Sequence, residues 1–170
     1  MPILTDGVIT LRPPRAEDID AIYAACQDRE IQQWTNVPSP YTREHAVRYV
    51  EVVAKEADKA AFLGFDGDEL VGSFSVMEID RDRRYAEIGY WVAAPARGRG
   101  MATRAVTLLR DWAAGELGTE LIELLIHEDN LPSKRVAERT GFLGTGERRP
   151  APRAAEPGPP NHDVYAWSRE

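Results

Sequence analysis

The stretch Glu87-Ile-Gly-Tyr-Trp-Val-Ala-Ala-Pro-Ala-Arg97-Gly-Arg-Gly-Met-Ala-Thr103 decides the fold. Its first half is rich in strand-forming residues and ends at Pro95, and from Met101 onward apolar residues recur at helical spacing. A short loop of arginine and glycine separates the two halves. A strand, a glycine-rich loop and a helix start together turn backbone N–H groups and the positive helix end toward a phosphate. We therefore interpret this stretch as the binding place of a phosphate-bearing cofactor.

The composition predicts one domain that spans residues 1–170. A chain of 170 residues with 43% hydrophobic and 29% charged residues is typical of a globular protein that buries a core. No apolar run approaches the roughly 20 residues of a membrane helix, and residues 1–6 lack the features of a secretory signal. The single cysteine, Cys26, excludes an internal disulfide, and its place on an apolar helical stripe favours the core. We expect a cytoplasmic protein.

The charge of the chain narrows the class of partner. A net charge of -7 argues against nucleic acid and is compatible with a cationic acceptor, such as an amine or a basic protein tail. Acidic chains are also common for solubility alone. Three scattered histidines and one cysteine do not make the ligand spacing of a metal site. We expect no nucleic acid, membrane or metal partner, and a monomer or homodimer.

The periodicity predicts a mixed α/β (α+β) fold, with a mostly antiparallel sheet of about seven strands and four helices. One strand–helix–strand unit lies in its middle, and Asp66-Gly67 marks a hairpin. The predicted strands are residues 7–12, 59–65, 69–80, 84–93, 121–127, 142–148 and 163–168. The predicted helices are residues 16–26, a helix capped by Thr42, residues 101–112, and a helix from Asn130 to Gly141, with a possible helical turn at residues 29–34 and a mobile loop at residues 149–161.

Two common phosphate motifs do not fit the loop. A P-loop has a lysine and a serine or threonine after its last glycine, and both are missing after Gly100. A dinucleotide fingerprint needs a parallel sheet, whereas the strands before the loop form a meander. Gly98 and Gly100 are also compatible with an ordinary turn, and Arg97 and Arg99 with surface charges.

The loop and a second motif resemble the GCN5-related N-acetyltransferases (GNAT). Arg97-Gly-Arg-Gly-Met-Ala102 matches the (Gln/Arg)-x-x-Gly-x-(Gly/Ala) loop of that family, and Asn130-x-x-Ser133, followed by residues 135–142, is similar to its second motif. The stretch Trp34-Thr-Asn-Val-Pro-Ser-Pro-Tyr41 further resembles the branch that contains the ribosomal-protein alanine and serine N-terminal acetyltransferases. The resemblance implies a GNAT fold along essentially the whole chain.

The resemblance also implies acetyl-CoA as co-substrate and places its contacts. Backbone N–H groups of the loop would hold the pyrophosphate, while the backbone of Trp91 and Val92 would pair with the pantetheine arm. Asn130 would hydrogen-bond that arm, and Ser133 would lie near the sulfur. The cofactor-binding residues so implied are Trp91, Val92, Arg97, Gly98, Arg99, Gly100, Met101, Ala102, Thr103, Asn130 and Ser133.

The implied reaction is direct attack of a primary amine on the thioester, which requires a base. Relatives often have an acidic residue at the position of Glu87, and strand alternation places Glu87 beside Tyr85, Gly89 and Trp91. A salt bridge of Glu87 with an arginine such as Arg84 is the alternative. Many relatives protonate the leaving thiolate with a tyrosine of the last helix, but residues 131–141 contain none. Ser133 or a bound water becomes the candidate.

The acceptor substrate is the part of the predicted function that the sequence determines least. Trp34 and Tyr41 are candidate substrate-binding residues, although aromatic residues near prolines are more often packing residues. The amine is that of a protein N-terminus or of a small molecule. A non-catalytic acyl-CoA-binding regulatory module is the alternative from another functional class.

Overall fold

One mixed sheet of eight strands organises the residues that the computed structural model describes, 1–152 and 158–169. Its strands are β1 Leu4–Thr5, β2 Thr10–Arg12, β3 Ala60–Asp66, β4 Glu69–Asp80, β5 Tyr85–Val92, β6 Leu121–His127, β7 Leu143–Arg149 and β8 His162–Ser168. Five α-helices accompany them: α1 Ile19–Ala25, α2 Arg29–Trp34, α3 Arg43–Glu51, α4 Met101–Glu116 and α5 Leu131–Arg139.

The strand order in the sheet is β1-β2-β3-β4-β5-β6-β8-β7. Every neighbouring pair is antiparallel except β5 and β6, which helix α4 connects as a parallel pair. The predicted mixed, mostly antiparallel fold with one strand–helix–strand unit is therefore confirmed. Part of the predicted loop 149–161 lies outside the described residues.

Within the described residues there is one more strand and one more α-helix than the sequence predicted. Strand β1 has only two residues, which is too short for a periodic pattern, and it is defined by its pairing with β2. Helix α2, considered only as a helical turn, is a helix of six residues whose first turn is capped by Asp28. The Asp28 Oδ1 accepts a hydrogen bond from the Ile31 amide at 3.0 Å.

The helices cover both faces of the sheet, because neighbouring strand residues point to opposite sides. On one face α4 and α5 pack on the main core, where Phe62, Phe74 and Ile88 are buried. On the other face α1, α2 and α3 form a second core, which includes Leu63. Within the described residues, no helix combines the length and the apolar character that a bilayer crossing requires.

Two glycines, one just before α4 and one within it, have different backbone conformations. Gly100, the residue before the helix, has φ of 75°, a left-handed conformation that favours glycine. Gly115 is helical and exposed, so α4 runs past the end at Trp112 that the sequence predicted. A Cβ atom added at either glycine would meet no atom within 4 Å. The two glycines therefore differ in the backbone conformation that a substituted residue must adopt, and not in the space available for its side chain.

We predict opposite changes in stability for alanine at these two glycines. Gly115→Ala should raise the free energy of unfolding by about 0.5–1 kcal/mol, because alanine loses less backbone entropy in a helix. Gly100→Ala should lower it by about 1 kcal/mol, since alanine is strained at positive φ. Urea denaturation of both variants and the wild type measures the difference. Equal changes in the two variants would contradict the assigned backbone conformation.

Candidate active site

A cleft of about 500 Å³ opens where β5 and β6 separate. The parallel pairing of these strands covers only three residue pairs, from Tyr85 with Leu121 to Glu87 with Glu123. Beyond that point residues 88–92 of β5 and 124–127 of β6 line the cleft instead of pairing with each other. The loop before α4, the first turn of α4, helix α5 and helix α2 form the other walls. The separated strands therefore create the cleft.

Strand β5 keeps its position in the separated region because β4 holds its other edge. Gly72 pairs with Val92, and Ser73 pairs with Trp91. A Cβ atom at Gly72 would lie 2.2 Å from the carbonyl oxygen of Trp91, so only glycine permits this close approach. Both predicted pantetheine contacts, Trp91 and Val92, line the cleft.

The predicted phosphate loop lies at the wall where α4 begins. Gly98 and Gly100 have φ of 72° and 75°, and a Cβ atom added at either would meet no atom within 4 Å. The next three residues, Met101, Ala102 and Thr103, form the first turn of α4 and line the cleft. Backbone N–H groups in the first turn of a helix have no acceptor within the helix. The loop and helix start therefore offer the cleft unpaired donors at the positive end of a helix of 16 residues.

The arginines of this loop are bound to carboxylates. The Arg97 Nη2 lies 2.6 Å from the Asp28 Oδ1, and its Nη1 lies 3.3 Å from the Glu30 Oε2, both at α2. This hydrogen bond from Arg97 lowers the pKa of Asp28. Arg99 forms ion pairs with Asp66 and Glu69 of the β3–β4 hairpin. Arg97 lines the cleft while it forms these ion pairs, whereas Arg99 does not line the cleft.

Helix α5 brings two further cations to the cleft that the sequence analysis did not identify. Arg135 and Arg139 are one helical turn apart, both are exposed, and both line the cleft. Neither forms an ion pair with another residue in the described ranges 1–152 and 158–169. Their i, i+4 spacing on the predicted last helix is the sequence signal that would have indicated them.

The second motif lies at the start of α5, in another part of the cleft wall. The Asn130 Oδ1 accepts a hydrogen bond of 3.2 Å from the Ser133 amide, so Asn130 caps α5 while it also lines the cleft. The Ser133 Oγ lies 2.8 Å from the hydroxyl oxygen of Tyr90 on β5. The sequence analysis did not name Tyr90. Strand alternation places Tyr90 on the face of β5 opposite Glu87, toward α5, and this alternation is the sequence signal that could have indicated Tyr90.

Glu87, the predicted base, belongs to a group of polar side chains at the last β5–β6 pair. The register pairs Glu87 with Glu123, which is 6% exposed. The Tyr85 hydroxyl donates toward both carboxylates, at 2.8 Å to the Glu123 Oε2 and at 3.1 Å to the Glu87 Oε1. Burial and the adjacent charge of Glu87 raise the pKa of Tyr85, so this hydroxyl stays protonated.

Arg149, at the end of β7, neutralises the buried carboxylate. Its Nη1 donates to the Glu123 Oε2 at 2.6 Å. A buried carboxylate without such a partner would be strongly destabilising. Arg84, the alternative partner considered for Glu87, forms an ion pair with Glu120 at 2.5 Å. The pairing of Arg149 with Glu123 joins residues far apart in sequence, so no local pattern indicated it.

Rings line the cleft on the side of α2. Trp34 and His127 have ring centroids 5.2 Å apart, and both residues line the cleft. His162 is buried behind His127, with centroids 5.4 Å apart and nearly perpendicular planes. Burial, followed by the neighbouring His127, lowers the pKa of His162. Within residues 1–152 and 158–169, no cluster of three or more side chains has the arrangement of a metal site.

The structure does not bring Tyr41, the other predicted acceptor residue, to the cleft. It is 7% exposed and packs in the core of α1, α2 and α3. Burial, followed by the neighbouring Cys26, raises the pKa of Tyr41, and Cys26 is itself 1% exposed. Burial raises the pKa of Cys26 to about 12, which agrees with the predicted core position. Tyr41 has the packing role that was its alternative interpretation.

Residues 9–143 match the family model of the acetyltransferase (GNAT) domain. Because this match covers more than half of the chain, the chain belongs to the GNAT family. It is an acetyl-CoA-dependent N-acetyltransferase, as the loop and the second motif predicted.

The curated relatives agree with the predicted branch. The chain is 37% identical over 87 residues to the ribosomal-protein-serine acetyltransferase of Escherichia coli K12, and this match covers 50% of the chain and 48% of that enzyme. It is 26% identical over 144 residues to the uncharacterized N-acetyltransferase p20 of Bacillus licheniformis, over 81% of the chain and 80% of that protein. The resemblance to the ribosomal-protein acetyltransferases is confirmed.

Solved structures confirm the fold class. The ribosomal L7/L12 α-N-protein acetyltransferase RimL in complex with coenzyme A superposes with a TM-score of 0.82 at 21% identity, covering 99% of this chain and 97% of that one. The spermidine N-acetyltransferase of Vibrio cholerae with CoA and spermine superposes with a TM-score of 0.76 at 20% identity, covering 95% and 94%.

We predict that His162 makes stability depend on pH in the mildly acidic range. Its folded-state pKa lies below the ordinary value of 6.5, so between these two values the unfolded chain binds more protons. The free energy of unfolding should therefore fall as the pH drops through 6.5 toward the lowered pKa. His162→Gln should remove this part of the slope, as measured by urea denaturation across the range. An equal slope in both proteins would contradict a neutral buried His162.

Proposed function

We propose that the chain transfers the acetyl group of acetyl-CoA to the α-amine of a protein N-terminus, by direct attack in a ternary complex. The observation that carries the proposal is the cleft at the separation of β5 and β6. Its walls include the phosphate loop at one side and Trp34 with His127 at another. Donor and acceptor molecules thereby have access to a common space, whose lining on β5 begins at Ile88, the residue after Glu87.

The residues present fit the chemical groups of acetyl-CoA. Open space adjoins Gly98 and Gly100, and the first turn of α4 offers backbone donors to a pyrophosphate. In our proposal these backbone groups are the main phosphate ligands, because Arg97 and Arg99 are bound to carboxylates. Arg135 and Arg139 supply charge from the part of the wall that α5 forms.

The free edge of β5 is the proposed partner of the pantetheine arm. Residues 88–92 line the cleft beyond the last pair with β6, and Trp91 and Val92 lie in this segment. An extended amide-containing chain that pairs with such an edge adopts the role of an additional strand. Asn130 is the proposed side-chain ligand of the arm, in addition to its role as a helix cap.

Glu87 is the proposed base. An α-amine has a pKa of about 7.7–8.0 and must lose a proton when it forms an amide. The Glu87 carboxylate accepts that proton directly or through a water, and the proton then passes to solvent. Tyr85 joins Glu87 and Glu123 at the last β5–β6 pair, and Glu87 itself does not line the cleft, so a water that reaches the cleft is the proposed relay for the proton. In the same proposal Ser133 donates a hydrogen bond to the departing thiolate.

Relatives favour a protein as acceptor. The serine acetyltransferase of Escherichia coli and the RimL structure are both named for ribosomal-protein substrates. The second candidate is a small polyamine, because the spermidine N(1)-acetyltransferase of Escherichia coli is 23% identical over 140 residues, 82% of this chain and 75% of that enzyme. Trp34 is the acceptor-side residue that we propose in either case, and Tyr41 is not part of this site.

An acetyl-transfer assay tests the function. We expect turnover of acetyl-CoA with peptides that begin with Ala or Ser, and little turnover with spermidine or other small amines. Turnover restricted to small amines would exclude the protein acceptor. CoA binding without acetylation of any amine would instead favour a regulatory module.

Gly100→Glu tests the cofactor site, with the affinity for acetyl-CoA measured by calorimetry. A carboxylate beside the phosphates should weaken acetyl-CoA binding at least a hundredfold in calorimetry, through like-charge repulsion and bulk. Gly100→Ala is the matched control, because it has the same backbone strain without the charge and should bind within about tenfold of the wild type. Unchanged affinity in a folded Gly100→Glu variant would refute the loop as phosphate site.

Glu87→Gln tests the base. Removal of a general base typically costs 10²–10⁴-fold, so we expect kcat/KM to fall by about a hundredfold near neutral pH and to lose its acidic limb. Glu120→Gln makes the same chemical change at an exposed residue paired with Arg84 and should retain the wild-type profile. A pH–rate profile of Glu87→Gln identical to that of the wild type would remove Glu87 from this role.

A further inference from the structure

Two hydroxyl groups join β5 to α5 inside the cleft, that of Tyr90 and that of Ser133. We propose that Tyr90 is a positioning residue that directs the Ser133 hydroxyl proton toward the sulfur of CoA. This inference rests on the function proposed above, in which Ser133 lies near the sulfur. It supplies a phenol from β5 where the last helix has no tyrosine.

The geometry holds the Tyr90 ring in one place. The ring stacks on Phe74, with centroids 5.9 Å apart and an interplanar angle of 19°, and it packs against the main core. Its hydroxyl oxygen lies 2.8 Å from the Ser133 Oγ. The amide of Ser133 is itself fixed by a hydrogen bond of 3.2 Å to Asn130. Both ends of the hydroxyl pair are therefore attached to rigid elements.

The direction of the hydrogen bond follows from what each hydroxyl requires. Burial raises the pKa of Tyr90 to about 12, so the phenol keeps its proton at neutral pH and that proton needs an acceptor. Within the described part of the chain, Ser133 is the hydrogen-bond partner of the Tyr90 hydroxyl. When Tyr90 donates to Ser133, the single proton of the serine hydroxyl is left for another acceptor. Ser133 is partly exposed and lines the cleft, so this acceptor is a molecule in the cleft.

The arrangement suits a leaving thiolate. When the C–S bond of the thioester breaks, its electron pair remains on sulfur, and a fixed O–H donor stabilises the developing charge without reorganisation. A serine whose hydroxyl rotates freely spends part of its time with the proton elsewhere. A donor on its oxygen also strengthens the hydrogen bond that the serine makes in turn. The amine gives one proton to solvent through Glu87, and the CoA thiolate takes one proton from solvent after the C–S bond has broken, while Ser133 keeps its own proton, so the protons balance.

Titration of the thiol of bound CoA tests the role of Tyr90 and Ser133 without an acceptor substrate. The ultraviolet absorbance of the thiolate, with desulfo-CoA as blank, gives the ionised fraction of the CoA thiol on the protein. An ordinary thiol has a pKa of about 8.5. We expect the wild type to raise the thiolate-to-thiol ratio of bound CoA at neutral pH by about tenfold over free CoA.

Three variants separate the possible outcomes. Ser133→Ala and Tyr90→Phe should each return the ratio to within about twofold of free CoA, and the double variant should add no further loss, because Tyr90 acts through Ser133. Tyr165→Phe is the matched control, because this tyrosine of β8 also packs against the main core but does not line the cleft, and it should retain the wild-type ratio. Thermal unfolding and calorimetry with CoA verify that each variant folds and binds.

The results distinguish this inference from the function on which it rests. If Ser133→Ala leaves the ratio unchanged, Ser133 does not contact the sulfur, and that part of the proposed function fails. If Ser133→Ala lowers the ratio while Tyr90→Phe does not, only the role of Tyr90 is overturned. Equal losses in Tyr90→Phe and Tyr165→Phe would also overturn it, since the loss of a tyrosine hydroxyl away from the cleft would then have the same effect.

Discussion

The structure depends on the short parallel pairing between β5 and β6. Three residue pairs, ending at Glu87 with Glu123, join two halves of the sheet, and the strands then separate. Backbone groups on a separated edge require hydrogen-bond partners, which a bound extended chain or water supplies. Strand β5 remains in place because β4 pairs with its other edge as far as Val92. The same interruption that weakens the sheet thus provides the cleft and the binding edge.

The pleat of β5 assigns its residues to two sides of the sheet. Tyr90 and the buried Ile88 face α4 and α5, whereas Glu87 and Trp91 face the side of α1, α2 and α3. In the proposed mechanism the base and the hydroxyl pair therefore lie on opposite sides of one strand. In that proposal the reacting thioester occupies the gap between β5 and β6, where groups from both faces have access. The single strand β5 positions both the proposed base and Tyr90, because successive side chains of a strand point to opposite faces of the sheet.

Ion pairs connect the loop before α4 to helix α2, and both elements line the cleft. Arg97 belongs to the proposed phosphate loop, and its ion pairs with Asp28 and Glu30 attach that loop to α2, which ends at Trp34. These pairs are partly exposed, so each contributes little to stability, but they fix the relative position of the loop and the helix. The proposed cofactor and acceptor regions consequently share one helix. On the other side, Arg149 performs a comparable role for the buried Glu123.

The sequence by itself determined the local parts of this protein. The hairpin at Asp66-Gly67, the strand of residues 121–127 and the helix after Gly100 follow from periodicity and turn chemistry, which act over a few residues, and the loop motif indicated the family. Strand β1 escaped prediction because two residues carry no period. Only the tertiary structure decided the pairings of distant residues. Glu123 with Arg149 and Tyr90 with Ser133 arise from strand register and helix packing, and so does the burial of Tyr41. No local pattern encodes such contacts, because each depends on how separately formed elements meet in the folded chain.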